Sequence, residues 1–179
     1  MILRYRISLP NIKGFLRVYE IKSGSSLYTF AKQMRADMNF PQDQMVLFKA
    51  FGKDGAVSAR YAMFDMGAGT IDSVTLEQTL KKGEESFVFF YDTTNAKSVL
   101  VNYDGPAELR EGVVYPIVTE TKGPDPEEFE NGYVAYEDLP DDKKKDPEDD
   151  DDDDWDDEDD GVDGDEDDGD AEEVFDENE

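Results

Sequence analysis

Apolar and polar positions alternate from the first residues of the chain. In Ile2 to Leu9, Leu3, Tyr5, Ile7 and Leu9 oppose Ile2, Arg4, Arg6 and Ser8, the period of a strand with one face on a core. After a turn at LPNIKG, Phe15 to Ile21 alternates again; its buried face is not decided by pattern alone, but the two runs predict a hairpin. The period then changes. From Ser25 to Phe40, Leu27, Phe30, Ala31, Met34 and Met38 recur at helical spacing, with Ser25 or Ser26 as N-cap and Pro41 as the stop. A helix with one apolar stripe needs a sheet to cover.

Further strands are expected at Met45 to Phe51, Ala59 to Phe64, Phe87 to Tyr91, Ser98 to Tyr103 and Gly112 to Thr119. Pro116 argues that the last is an edge strand. A short helix is expected over Asp72 to Leu80. This order predicts an α+β fold, a β-grasp-like mixed sheet with one main helix packed on it.

Charge divides the chain. Residues 1–123 hold 15 Lys and Arg against 14 Asp and Glu, whereas residues 124–179 hold 3 against 32. From Asp146 onward, 24 of 34 residues are acidic, too like-charged and apolar-poor to offset the entropy of ordering. The expected organisation is a domain over 1–123, a transitional arm over 124–145 and a disordered acidic tail over 146–179. The arm carries Phe129, Tyr133, Val134, Tyr136 and Leu139. Two readings of it stay open, a strap along the domain and an interaction motif.

The composition narrows the chemistry. The sequence contains no cysteine and no histidine, which removes disulfides, thiolate sites, the usual general base near neutral pH and the commonest metal ligand. The N-terminal residues lack a continuous apolar stretch of signal-peptide type, and no apolar run has membrane-spanning length. A soluble cytoplasmic protein is the expectation. The run GVDGDEDDGD imitates part of a calcium loop, but Gly161 occupies a ligand position and Asp170 stands where a bidentate Glu is needed. No cofactor or metal is expected.

The candidate binding residues are Tyr91, Asp92, Asn95 and Tyr103, with Asp104 near them, where two strands exchange across a hairpin. An Asp at the end of an aromatic strand is also a common turn-former, bonding to nearby backbone. Catalysis at Asp92 would need a second acid or a metal, and no spacing supplies one.

Several segments, in order, resemble the plasmid Orf3-like family, named after the third open reading frame of an Agrobacterium Ri plasmid. They are YRISL, VYEIKSGSSLYTFAKQM, FPQDQMVLFKAF, TIDSVTLEQTL and FVFFYD, together covering about residues 2–104. Members of that family end the aromatic strand with Tyr-Asp-Phe-Gly-Asp, followed by a Trp and often a His. Tyr91 and Asp92 match, but Thr93, Thr94 and Asn95 replace Phe-Gly-Asp, and Lys97 and Val99 fall where the Trp and His would be. The resemblance implies a fold, sometimes carried as a passenger on mobile elements, and leaves the activity open.

Two function classes follow. One is a non-catalytic interaction or regulatory module whose acidic tail engages a partner with a basic surface, covers basic residues of its own domain between Arg4 and Arg35, or only confers solubility. The other is a small ligand-binding or enzymatic domain using the Tyr91–Asp92 end of the sheet. Direct nucleic-acid binding is not expected, because the acidic run repels phosphate. No membrane partner is expected, and oligomeric state is open.

Overall fold

The computed structural model describes residues 1–144, and Met1–Lys144 form one compact unit. The expectation of a disordered acidic tail concerns residues outside those described. The alternating runs become β1 (Ile2–Leu9) and β2 (Ile12–Lys22), joined through Asn11 at φ 60°. That is the left-handed region, which Asn tolerates better than most side chains. The order continues α1 (Leu27–Asp37), β3 (Leu47–Phe51), β4 (Val57–Tyr61), α2 (Leu76–Lys81), β5 (Ser86–Asp92), β6 (Lys97–Ala107), β7 (Ile117–Lys122) and α3 (Pro126–Glu130).

The seven strands form one sheet in the order β4-β3-β5-β6-β1-β2-β7, and every ladder is antiparallel. This overturns the expected β-grasp-like mixed sheet. A mixed sheet needs at least one parallel pair. Here β1–β2, β3–β4 and β5–β6 are hairpins, and β6 also returns antiparallel along β1, with Tyr5 opposite Tyr103 and Ile7 opposite Val101. The single main helix is corrected too. The α-helices have 11, 6 and 5 residues, so the sheet is the dominant element.

The core lies on one face of that sheet. Tyr5, Tyr19, Phe48, Phe87, Phe89, Val99 and Val101 are 2% exposed or less, and register places them on the same side. Helix α1 lies on this side, its Phe30 ring 5.2 Å from Tyr5 and 5.6 Å from Tyr19. The stripe read from sequence is the buried one: Leu27, Phe30, Ala31, Met34 and Met38 are all at most 1% exposed. Each large side chain so buried contributes roughly 1.5–3 kcal/mol. Ser26 is the N-cap, accepting from the Thr29 N–H at 3.2 Å. Helix α2 has a reciprocal capping box between Thr75 and Gln78, and it buries Leu76 and Thr79.

The ambiguous strand β2 buries residues on both faces. Phe15, Tyr19 and Ile21 enter the core beside Arg17, whose guanidinium donates to the carbonyls of Leu16 and Lys122 and pairs with Asp125. On the opposite face Glu20, 5% exposed, is held by Arg4 and Arg110. Residues 124–144 lie along the domain. Phe129 packs edge-on against Phe15, and Asp138 accepts from the backbone N–H groups of Lys13 and Gly14.

Candidate functional site

Strand β5 ends at Tyr91 and Asp92, and the chain turns through Thr93–Ala96 into β6. One Asp92 carboxylate oxygen accepts from the N–H groups of Thr94 and Asn95, both at 3.1 Å; the other accepts from the Asn95 side-chain amide at 2.8 Å. The Asn95 amide, followed by its backbone N–H, holds the Asp92 carboxyl below its ordinary range. Asp92 and Asn95 are therefore brought together, and what they build is the turn.

Tyr91 is 5% exposed and stacks on Phe40, ring centroids 3.6 Å apart and planes 5° from parallel. Burial, reinforced by the charges of Glu130 and Asp92, pushes its phenol up to about 12, so it stays protonated near neutral pH. Beside it lies a recess of about 230 Å³ bounded by Asn39, Phe40, Pro41, Tyr91, Asp92, Lys97, Glu127 and Glu130. Lys97 bridges it, donating to Glu130 at 2.9 Å. The sequence had placed neither Lys97 nor Glu130 at this site. Glu130 comes from α3, more than thirty residues further along, and no local pattern links the two.

Tyr103 is not part of this group. It sits at the opposite end of the β5–β6 ladder, its N–H donating to the Glu85 carbonyl at 2.8 Å and its ring packed 5.6 Å from Tyr5. Asp104 is likewise distant, pairing with Arg6 at 3.6 Å. The Tyr91 end thus offers hydrogen-bonding and ionic groups around a small recess. Asp92, its most buried carboxylate, accepts three hydrogen bonds within the turn. Among the described residues no group of three or more acidic side chains is arranged to hold a metal ion.

The basic residues that cluster in sequence between Arg4 and Arg35 do not form one patch. Arg17 is buried, Arg4 and Arg6 pair with Glu20 and Asp104, and Arg35 donates to the carbonyls of Pro41 and Gln44 from the C-terminal end of α1. Folding separates them because strand alternation and the helix send their side chains to different sides.

A second surface emerges from the sheet itself. Residues opposite the core positions on β3, β5 and β6 are Leu47, Lys49, Val88, Phe90 and Leu100, all partly exposed. The three α-helices meet the other face, through Phe30 on Tyr5, the buried Leu76 and Thr79, and Phe129 on Phe15. At the β1–β2 side this outer face is partly closed by Arg110, which reaches Glu20 from the β6–β7 connection. The hydrogen bonds from Arg4 and Arg110 outweigh burial, which alone would raise the Glu20 carboxyl, and hold it below its ordinary range.

Fold and surfaces together define a class: an all-antiparallel sheet domain armoured by short helices on one face. Within that class, the chain belongs to the plasmid pRiA4b ORF-3-like protein family, whose pattern it matches over residues 1–175. Its fold is similar to the crystal structure of the protein of unknown function MM3350 from Methanosarcina mazei Go1, with a TM-score of 0.59 and 16% identity over 69% of this chain and 70% of that one. No curated protein matches the chain. Among the described residues no helix is long and apolar enough to cross a membrane.

Proposed function

We propose that this domain is a non-catalytic interaction module that docks a partner polypeptide on the outer face of its sheet, over strands β3, β5 and β6. The observation that carries this reading is the one-sided placement of the α-helices, which leaves Leu47, Val88, Phe90 and Leu100 partly exposed on the other side. A partly exposed apolar strip on a sheet gains free energy when a second polypeptide removes it from water. The three hydrogen bonds that Asp92 accepts within its turn argue in the same direction, since they give that carboxylate a structural role.

The acidic run has a separate role in this reading. With 24 of 34 residues acidic, it draws a partner bearing a basic surface by long-range attraction, raising the encounter rate more than the final affinity. The test is paired affinity capture from source-cell lysate, with the full chain and with a Phe90→Asp, Leu100→Asp variant of matched unfolding midpoint. Loss of the same captured band in the variant supports the outer face; unchanged capture contradicts it.

The recess at Tyr91 favours a second reading, a small polar ligand held by Lys97, Glu127 and Glu130. Under that reading Lys97→Ala removes ligand-dependent thermal stabilisation in a metabolite screen, while Phe90→Asp does not.

A further inference from the structure

Two cations stand side by side within the outer face. Lys49 on β3 is directly opposite Arg60 on β4, and neither side chain takes part in an ion pair or hydrogen bond among the described residues. Like charges in register cost stability in an isolated sheet, and a nearby anion removes that cost. Their surroundings are apolar. Val88 is the partner of Lys49 on β5, Leu100 continues the row on β6, and Leu47 and Phe90 pair in the next row. Beyond them Val57, 39% exposed, lies opposite Phe51 at the edge of the sheet.

We infer that this face takes an acidic segment of a partner polypeptide, one that carries aliphatic or aromatic side chains between its carboxylates. The inference rests on the docking surface proposed above and adds the chemistry of its occupant. Carboxylates meet Lys49 and Arg60, while the intervening side chains cover Val88, Phe90 and Leu100. Charge complementarity selects the occupant: a basic segment would press a third cation against two uncompensated ones. A nucleic acid fits less well. Two cations release few counterions, and the exposed side chains are mostly aliphatic and offer little for bases to stack on. Attraction of the acidic run to a basic surface and of this face to an acidic segment then select one kind of partner, bipolar in charge, and fix its orientation.

The test uses the full chain and three fluorescein-labelled synthetic peptides of alternating Leu with Glu, Gln or Lys, followed by anisotropy at low salt. The Glu peptide is expected to bind at least about tenfold tighter than the Gln peptide, a difference of about 1.4 kcal/mol. A Lys49→Glu, Arg60→Glu variant is expected to reverse the preference toward the Lys peptide. A Lys49→Gln, Arg60→Gln variant, free of new charge, is expected to abolish it and guards against misfolding. Equal, Phe90-dependent binding of the Glu and Gln peptides overturns the acidic occupant but leaves the docking face standing. Binding of all three unaffected by Phe90→Asp overturns both. Tighter binding of single-stranded DNA, lost on charge reversal, overturns the polypeptide in favour of nucleic acid. Glu-peptide binding that appears only after residues 145–179 are removed assigns the face to the chain's own acidic run and overturns a partner segment.

Discussion

Phe40 and Tyr91 stack face to face, 3.6 Å between centroids, and so tie the segment after α1 to the end of β5. Both are at most 5% exposed. Truncating Phe40 leaves a cavity as well as removing a ring contact, so Phe40→Ala is expected to destabilise by about 3–5 kcal/mol in denaturant unfolding. Tyr91→Phe keeps the stack and is expected to cost much less.

Helix α1 provides a second check on packing. Phe30 touches two core tyrosines from the middle of the helix, and Met34 is fully buried one turn on. Phe30→Ala is expected to cost about 3–5 kcal/mol and Met34→Ala about 2–5, whereas exposed Lys32→Ala should change stability by less than about 0.5. Equal effects at Phe30 and Lys32 would contradict the placement of the stripe.

The turn at Asp92 has a pH signature. Its carboxyl is held below the ordinary range in the folded chain, mainly by Asn95. A carboxyl depressed on folding adds stability above its unfolded pKa, about 3.9, and that contribution disappears as pH falls through the folded value. The stability gap between wild type and Asp92→Ala is therefore expected to be full at neutral pH and to shrink below about pH 4. A gap that stays constant down to pH 2 would show that the charge has no part in the turn.

The arm is held where β2 has no side chain. A Cβ at Gly14 would collide with the Cβ of Ala135 and approach Asp138 Oδ2 to 2.8 Å, the carboxylate that receives the Lys13 and Gly14 N–H groups. Gly14→Ala is expected to loosen residues 135–144 and accelerate tryptic cleavage at Lys143 and Lys144, while β1 to β7 stay protected. Unchanged cleavage would contradict the docking of this segment.

Local pattern carried most elements of the fold and little of its assembly. The α1 stripe and the alternation in β1 were legible because burial on one face writes a period into neighbouring residues, and the aromatic run Phe87 to Tyr91 marked β5. The ladder between β1 and β6 was not: Tyr5 and Tyr103 meet across nearly a hundred residues, and nothing local marks antiparallel from parallel pairing. The final strand was displaced for a related reason. It starts at Ile117, just after Pro116, and uses polar residues through Lys122 because an edge strand can leave them in water.

At the candidate site, Asp92 and Asn95 were legible as neighbours in a turn. Tyr103 was grouped with them by proximity in a hairpin, but β6 runs away from the turn and carries it to the far end of the ladder. Lys97 with Glu130 could be found only once α3 was placed. The outer-face cations were hidden for another reason. Lys49 and Arg60 are eleven positions apart, and only the β3–β4 register makes them adjacent.

Site-specific photocrosslinking tests the docking face most directly. A photoreactive residue replaces Phe90 or Leu100 on the outer face, or the exposed Tyr28 of helix α1, in the full chain produced in source cells. The docking account predicts one discrete adduct from positions 90 and 100, reduced when Lys49 and Arg60 are both changed to Glu, and none of that mass from position 28. No adduct at 90 and 100, or the same adduct from all three positions, would contradict it.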